Sequence, residues 1–133
     1  RDLCRVHGPS QFVVDVKSTG LFDADPELKR LGARTDYWKT GHSYIKRRVR
    51  DLNALAGFEK SGHFFFNAPV GRGYDDGLVT AIAVIDMLDR NPTKSMADLY
   101  AEVPKTWGSP TMAPKCADEI KYEVVDRVVK RFQ

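Results

Sequence analysis

The chain has 133 residues, of which 42% are hydrophobic and 29% charged, with a formal net charge of +3. That balance is ordinary for one globular domain able to bury roughly two-thirds of its unfolded surface without staples, and the mild positive excess suits an anionic ligand such as a phosphate ester without demanding nucleic acid. Two cysteines without CxxC spacing and three histidines without metal-ligand spacing argue against a zinc site and for a reducing compartment. No apolar run approaches the ~18 residues that span a bilayer, so the expected location is cytoplasmic, with no membrane partner.

In chain order, residues 11–17 (QFVVDVK) predict a short buried strand rich in β-branched residues. Asp25-Pro26 then opens a helix over residues 27–31, with Asp25 as its cap and Gly32 as its stop. Residues 34–38 predict a second strand, residues 39–43 a polar turn, and residues 44–52 a helix. Residues 54–59 and 63–67 read as two strands flanking Lys60-Ser61-Gly62, and a Gly/Pro-rich loop follows at residues 68–73. Asp75-Asp76-Gly77 caps a long helix over residues 78–90, whose apolar run suits a buried position. Ser95 with Asp98 has the spacing of a capping pair for a short helix reaching residue 103. Residues 104–114 hold three of the seven prolines and read as an interdomain linker. A last helix over residues 119–132 carries apolar positions at Ile120, Val124, Val125, Val128, Val129 and Phe132. Alternating strands and helices predict an α/β fold, a mixed or parallel sheet covered by helices, over residues 1–103, with a C-terminal linker and helix over residues 104–133. Because the chain begins at Arg1 and ends inside a helical pattern, it is expected to be a piece of a longer protein.

Several constellations can carry chemistry. Glu59, Ser61 and His63 alternate along the chain, and in an extended segment alternate side chains face one way, so a carboxylate, a hydroxyl and an imidazole would meet one polar ligand. The competing reading is a polar hairpin tip with Ser61-Gly62 in the turn. Lys39-Thr40-Gly41-His42-Ser43 stands at a helix start, where unpaired backbone N–H groups and the helix dipole favour a phosphate; Ser43 is equally readable as a plain N-cap. Lys17 closes the first strand, at the edge where α/β domains bind ligands, although simple solvation accounts for it as well. Lys46, Arg47, Arg48 and Arg50 form a basic cluster that reads as a solvated helix face, with no interleaved aromatics to suggest nucleic acid. Asp75 and Asp76 read as helix caps rather than as a metal loop.

Together these stretches resemble a known family. Asp15-Val16-Lys17-Ser18-Thr19, Trp38-Lys39-Thr40-Gly41-His42-Ser43, Glu59-Lys60-Ser61-Gly62-His63 and Tyr74-Asp75-Asp76-Gly77 occur in the order and spacing of the third domain of the α-D-phosphohexomutases. The nearest resemblance is to the bacterial phosphomannomutase/phosphoglucomutase branch, with residues 104–133 resembling the linker and opening of the fourth domain. The resemblance implies an enzyme that interconverts hexose 1-phosphate and hexose 6-phosphate through a bisphosphorylated sugar. A phosphoserine, Mg²⁺ and glucose 1,6-bisphosphate would take part, with the phosphoserine and metal loops on other domains. It further implies that Glu59 and Ser61 grip the sugar O3 and O4 hydroxyls, that Gly41 and Ser43 help bind substrate, and that Lys17, His42 and His63 stand near the transferring group. The implied partners are a hexose phosphate and the remaining domains of the parent chain, and a chain of this extent is expected to be inactive alone. The family usually has Gly directly before the glutamate; here Phe58 stands there, which either narrows the sugar site or packs inward. The alternatives are a phosphoglucosamine mutase-type member and a non-catalytic anion-binding module.

Overall fold

The computed structural model describes residues 1–110 and 112–132. Four strands form one mixed sheet: β1 (Gln11–Asp15), β2 (Arg34–Trp38), β3 (Ala56–Phe58) and β4 (Phe64–Phe66), in the order β2-β1-β3-β4. β1 runs parallel to both β2 and β3, while β3 and β4 are antiparallel. The central place of β1 explains its continuous apolar run: four of its five residues are buried, since a strand flanked on both sides and covered on both faces has nowhere to put a polar alternation.

Helices cover both faces. On one lies α4 (His42–Asp51), whose Ile45 and Val49 meet Val13, Ala54 and Phe65 with no measurable exposure. Burying side chains of this size contributes about 1.5–3 kcal/mol each. Gly57 lets the helix come this close: a Cβ there would lie 2.6 Å from Val49 Cγ2 and 2.8 Å from Ile45 Cγ2. Arg48 pins the same helix to β2, with a two-nitrogen pairing to Asp36 (2.8 and 3.1 Å) and its guanidinium 4.3 Å from the Trp38 ring centroid. On the other face Phe12, Ala56 and Phe66 pack with Cys4 of α1 (Asp2–His7), Leu28 of α3 (Pro26–Arg30), and Val79 and Ala83 of α5 (Gly77–Asp89). Phe58 belongs to this face, in an aromatic cluster with Phe12, Phe22, Phe64 and Phe66 at centroid separations of 5.3–6.1 Å. It therefore packs inward, and part of it also lines the groove at the carboxyl edge of the sheet.

The architecture is the expected α/β fold with a mixed, helix-covered sheet. Individual elements differ from expectation. β1 stops at Asp15, two residues early, because the chain turns there with Ser18 N–H donating to Asp15 O. The strands expected over residues 54–59 and 63–67 shrink to three residues each. Two helices had no sequence signal: α1, and α2 (Leu21–Ala24), with six and four residues, are too short to show a periodic pattern. α4 begins at His42, not residue 44, so Ser43 lies within its first turn and is not its cap. The long apolar helix α5 was expected to be buried, yet none of its residues is. It packs against the edge strand β4 through Val79 and Ala83 and leaves Leu78, Ile82 and Ile85 exposed.

The caps expected at Asp25, Asp76 and Ser95 with Asp98 form, whereas Ser43 and Asp75 are not caps. Asp25 accepts from Glu27 N–H, Asp76 from Leu78 and Val79 N–H, and Ser95 and Asp98 form a reciprocal capping box on α6 (Met96–Ala101). Between α6 and α7 (Lys121–Phe132) the described residues form no helix or strand, and α7 has no buried residue. No helix among the described residues is long and apolar enough to cross a membrane.

Candidate functional site

The parallel strands β1, β2 and β3 end at Asp15, Trp38 and Phe58, so the loops that follow them emerge at one edge of the sheet. Ligands of α/β folds bind at such carboxyl edges. The stretches 15–19, 38–43 and 59–63 lie at this edge, and Asp75 joins them through His63.

At its centre is Asp15, only 1% exposed. Its Oδ1 accepts from the Ser18 hydroxyl and from Lys60 N–H (3.2 Å), and its Oδ2 from the Thr40 hydroxyl (3.1 Å). One buried carboxylate thus ties together the loops after all three parallel strands. A charged acceptor with three donors is satisfied in a low-dielectric place where an unpaired one would be costly. The sequence reading quoted Asp15 within a motif but gave it no role. Its only signal was a carboxylate inside an apolar strand.

Glu59 is the second buried carboxylate, 6% exposed. Its Oε1 accepts from Gly41 N–H at 2.9 Å, while Oε2 has no partner among the described residues. Gly41, at φ 135° and ψ 129°, is the residue before α4, and Tyr44 and Ile45 N–H both donate to its carbonyl. That positive φ suits glycine and lets the chain swing from the loop into the helix. The backbone N–H groups of His42 and Ser43, in the first turn of α4, have no partner among the described residues.

The alternation of residues 59, 61 and 63 is not an extended one. Glu59 N–H donates to His63 O, Gly62 N–H donates to Glu59 O, and Gly62 takes φ 91°, so Lys60-Ser61-Gly62 forms a three-residue hairpin tip. Glu59 turns inward, Ser61 sits exposed on the tip, and His63 stands at the start of the returning strand. The hairpin reading therefore prevails over convergence by strand periodicity.

His63 Nδ1 lies 2.7 Å from Asp75 Oδ2, and His42 Nε2 lies 3.5 Å from the same oxygen. The two rings stand edge to face at 6.1 Å, and His42 also packs edge-on against Phe65 at 4.9 Å. Asp75 reaches this place because its backbone pairs with Phe65 in an antiparallel bridge. The two acids of Asp75-Asp76 therefore divide: Asp76 caps α5, as expected, and Asp75 joins the histidines.

One groove opens on this side, and a second runs along α4 toward the opposite edge, where Asn67 donates to Ala54 O and Leu55 O. The first, of about 1170 Å³, is lined by Lys17, Ser18, Phe22, Phe58, Glu59 and Phe64 among others; Lys17 is exposed on its wall. The second, of about 370 Å³, is lined by Ser43, Lys46, Arg47, Arg50, Arg72 and Tyr74 among others, so three members of the basic cluster on α4 face it and Arg48 does not. No three His, Cys, Asp or Glu side chains among the described residues are placed to hold a metal ion, so these residues do not fit a resident Mg²⁺.

A family described as "Phosphoglucomutase/phosphomannomutase, alpha/beta/alpha domain III" matches residues 1–107. The chain is 30% identical over 132 residues to a phosphomannomutase/phosphoglucomutase of Pseudomonas syringae pv. tomato, which covers 99% of this chain and 28% of that protein. It is 34% identical over 101 residues to a phosphoglucomutase of Neisseria meningitidis, covering 74% of this chain and 21% of that one. A crystal structure of a phosphoglucomutase/phosphomannomutase family protein from Burkholderia thailandensis superimposes with a TM-score of 0.69 at 29% identity, over 82% of this chain and 23% of that one. The chain thus spans less than a third of each of these relatives.

Proposed function

Since the chain belongs to the phosphoglucomutase/phosphomannomutase family through that family's domain III, we propose that it is the sugar-recognising part of a hexose-phosphate mutase, with residues 1–103 forming that domain and residues 104–133 a linker and the opening of the next. The parent enzyme would interconvert hexose 1-phosphate and hexose 6-phosphate through a bisphosphorylated sugar such as glucose 1,6-bisphosphate. Its phosphoserine and Mg²⁺ ligands would lie outside this chain.

The observation that carries the reading is the half-used carboxylate of Glu59. One oxygen holds Gly41 N–H at the start of α4, and the other is unpartnered beside a groove that Lys17 also lines. No fully buried side-chain oxygen among the described residues lacks a partner, which supports an Oε2 open to that groove. A carboxylate oxygen accepts two hydrogen bonds and so suits a pair of neighbouring sugar hydroxyls. Ser61 on the adjacent hairpin tip would supply a further hydroxyl contact. Lys17 and the free N–H groups of His42 and Ser43 offer positive charge and donors to a phosphate. Glu59 would then link the two halves of the site: the oxygen that steadies the start of α4 belongs to the group that reads the sugar. His42 and His63 would stand near the transferring group, where positioning and charge neutralisation carry phosphoryl transfer.

Glucose and mannose differ only at C2, so a site that reads O3 and O4 treats them alike. In the protein encoded by the whole reading frame, Glu59→Gln keeps an acceptor for Gly41 and removes the charge. It should weaken glucose and mannose phosphates to a similar degree, by about 1.5–3 kcal/mol for a charged hydrogen bond. A loss confined to one epimer contradicts the O3/O4 assignment. The purified 133-residue chain should bind hexose phosphate weakly and show no mutase turnover; measurable turnover would overturn the division of labour proposed here.

A further inference from the structure

We infer that Asp75 is a positioning residue for His63: its carboxylate fixes the imidazole as the Nδ1–H tautomer and so presents Nε2 as a lone pair toward the ligand edge. The geometry is specific. His63 Nδ1 stands 2.7 Å from Asp75 Oδ2, within hydrogen-bonding distance, and Nε2 has no partner among the described residues. An ionised carboxylate only accepts, so the nitrogen facing it carries a proton, and in the neutral imidazole, which holds one ring proton, the other nitrogen is bare. A bare Nε2 accepts a hydrogen bond from a hydroxyl group, and can take its proton. The carboxylate behind the ring then stabilises the imidazolium that forms, the role of an acid that orients a histidine, here in a pair whose side chains are 50% and 27% exposed.

Three features make Asp75 suited to this work. Asp76, its neighbour, already caps α5 through Leu78 and Val79 N–H, so Asp75 is not needed at the helix end. The backbone bridge between Asp75 and Phe65 places it alongside the strand that His63 precedes. The same oxygen lies 3.5 Å from His42 Nε2, so one carboxylate faces both histidines of the edge. His42 is held in place by its edge-on contact with Phe65.

The tautomer assignment rests on the side-chain geometry alone; its importance for turnover rests on the mutase reading above, and two measurements separate them. Nitrogen-15 shifts of the imidazole rings, read through their carbon-bound protons in the 133-residue chain at a pH where His63 is neutral, should show Nδ1 protonated and Nε2 bare. Asp75→Asn should move His63 toward the Nε2–H form, while Asp76→Asn, which keeps a cap-competent side chain, should leave it unchanged. A wild-type His63 that is mainly Nε2–H overturns the inference whatever the variants do. So does a tautomer unmoved by Asp75→Asn in a chain whose backbone amide spectrum is otherwise retained. In the protein from the whole reading frame, Asp75→Asn should lower kcat by about ten- to a hundredfold with KM little changed, the usual cost of losing a histidine's orienting partner. A confirmed tautomer with unchanged kcat would keep the positioning and refute a proton-transfer role for His63. A lost tautomer preference accompanied by a rise in KM alone would overturn the assignment of Asp75 to the chemical step.

Discussion

Asp15 offers the sharpest test of how this edge is held together. Replacing it with alanine removes the acceptor for three donors at once: the Ser18 and Thr40 hydroxyls and Lys60 N–H. Each hydrogen bond to an ionised group is worth about 1.5–3 kcal/mol in isolation, but the three share one carboxylate and do not add. Lys60 is exposed, so its N–H can turn to water; Ser18 and Thr40 are half-buried and recover less. The net loss should be about 3–5 kcal/mol, a large part of the 5–15 kcal/mol that stabilises a typical domain. Asparagine is the discriminating variant. It keeps the shape, its oxygen can still accept from Ser18 and Lys60, and its amide can donate to the Thr40 hydroxyl, so it should cost only about 1–2 kcal/mol. Urea unfolding followed by tryptophan fluorescence reads both as shifts in midpoint at constant slope. Amide exchange at Thr40 and Gly41 should accelerate in the alanine variant. An alanine variant no worse than the asparagine one would refute the reasoning, because the carboxylate would then not be the tie between the three loops.

Other outcomes follow from the same geometry. Gly57→Ala should destabilise by about 1–3 kcal/mol in urea, since the added methyl meets Val49 and Ile45 at 2.6 and 2.8 Å on a face with no room to yield; a neutral effect would mean that α4 can shift off the sheet. The Glu27 carboxyl is held down to about 2, first by its hydrogen bond from Arg30 and then by that from Arg5. Because its folded value is depressed, the contribution is complete above the ordinary carboxyl value of 4.5 and is lost as the pH falls from there through about 2. Glu27→Gln should flatten that part of the stability–pH curve, and an acid limb identical to wild type would show that these exposed pairs are screened by solvent.

Much of the framework was legible because its causes are local. Residues 11–17 read as a buried strand and formed one over 11–15, Asp25-Pro26 and Ser95 with Asp98 read as helix openings and are, and residues 34–38 kept their strand bounds. These signals lie within a few residues of the backbone they control. The short helices α1 and α2 were not legible, because one turn of helix carries too few positions for a period to appear. α5 misled for a different reason. Its composition matches that of a core helix, yet whether an apolar helix is covered depends on where it packs, and it packs on the edge strand.

The candidate site divides along the same line. Its residue types and their grouping into four stretches were written in the chain, as was the family resemblance they carry. Their mutual arrangement was not. Sequence spacing left Glu59, Ser61 and His63 either on one side of an extended strand or in a polar hairpin tip; the folded chain makes the hairpin tip, sends Glu59 inward to Gly41 and gives His63 to Asp75, twelve residues away. Asp15 became a tie between three loops only once β1 lay between β2 and β3. A hydrogen bond depends on distance and direction in space, and for partners far apart in sequence those are set by strand order and helix placement, which no short stretch of the chain contains.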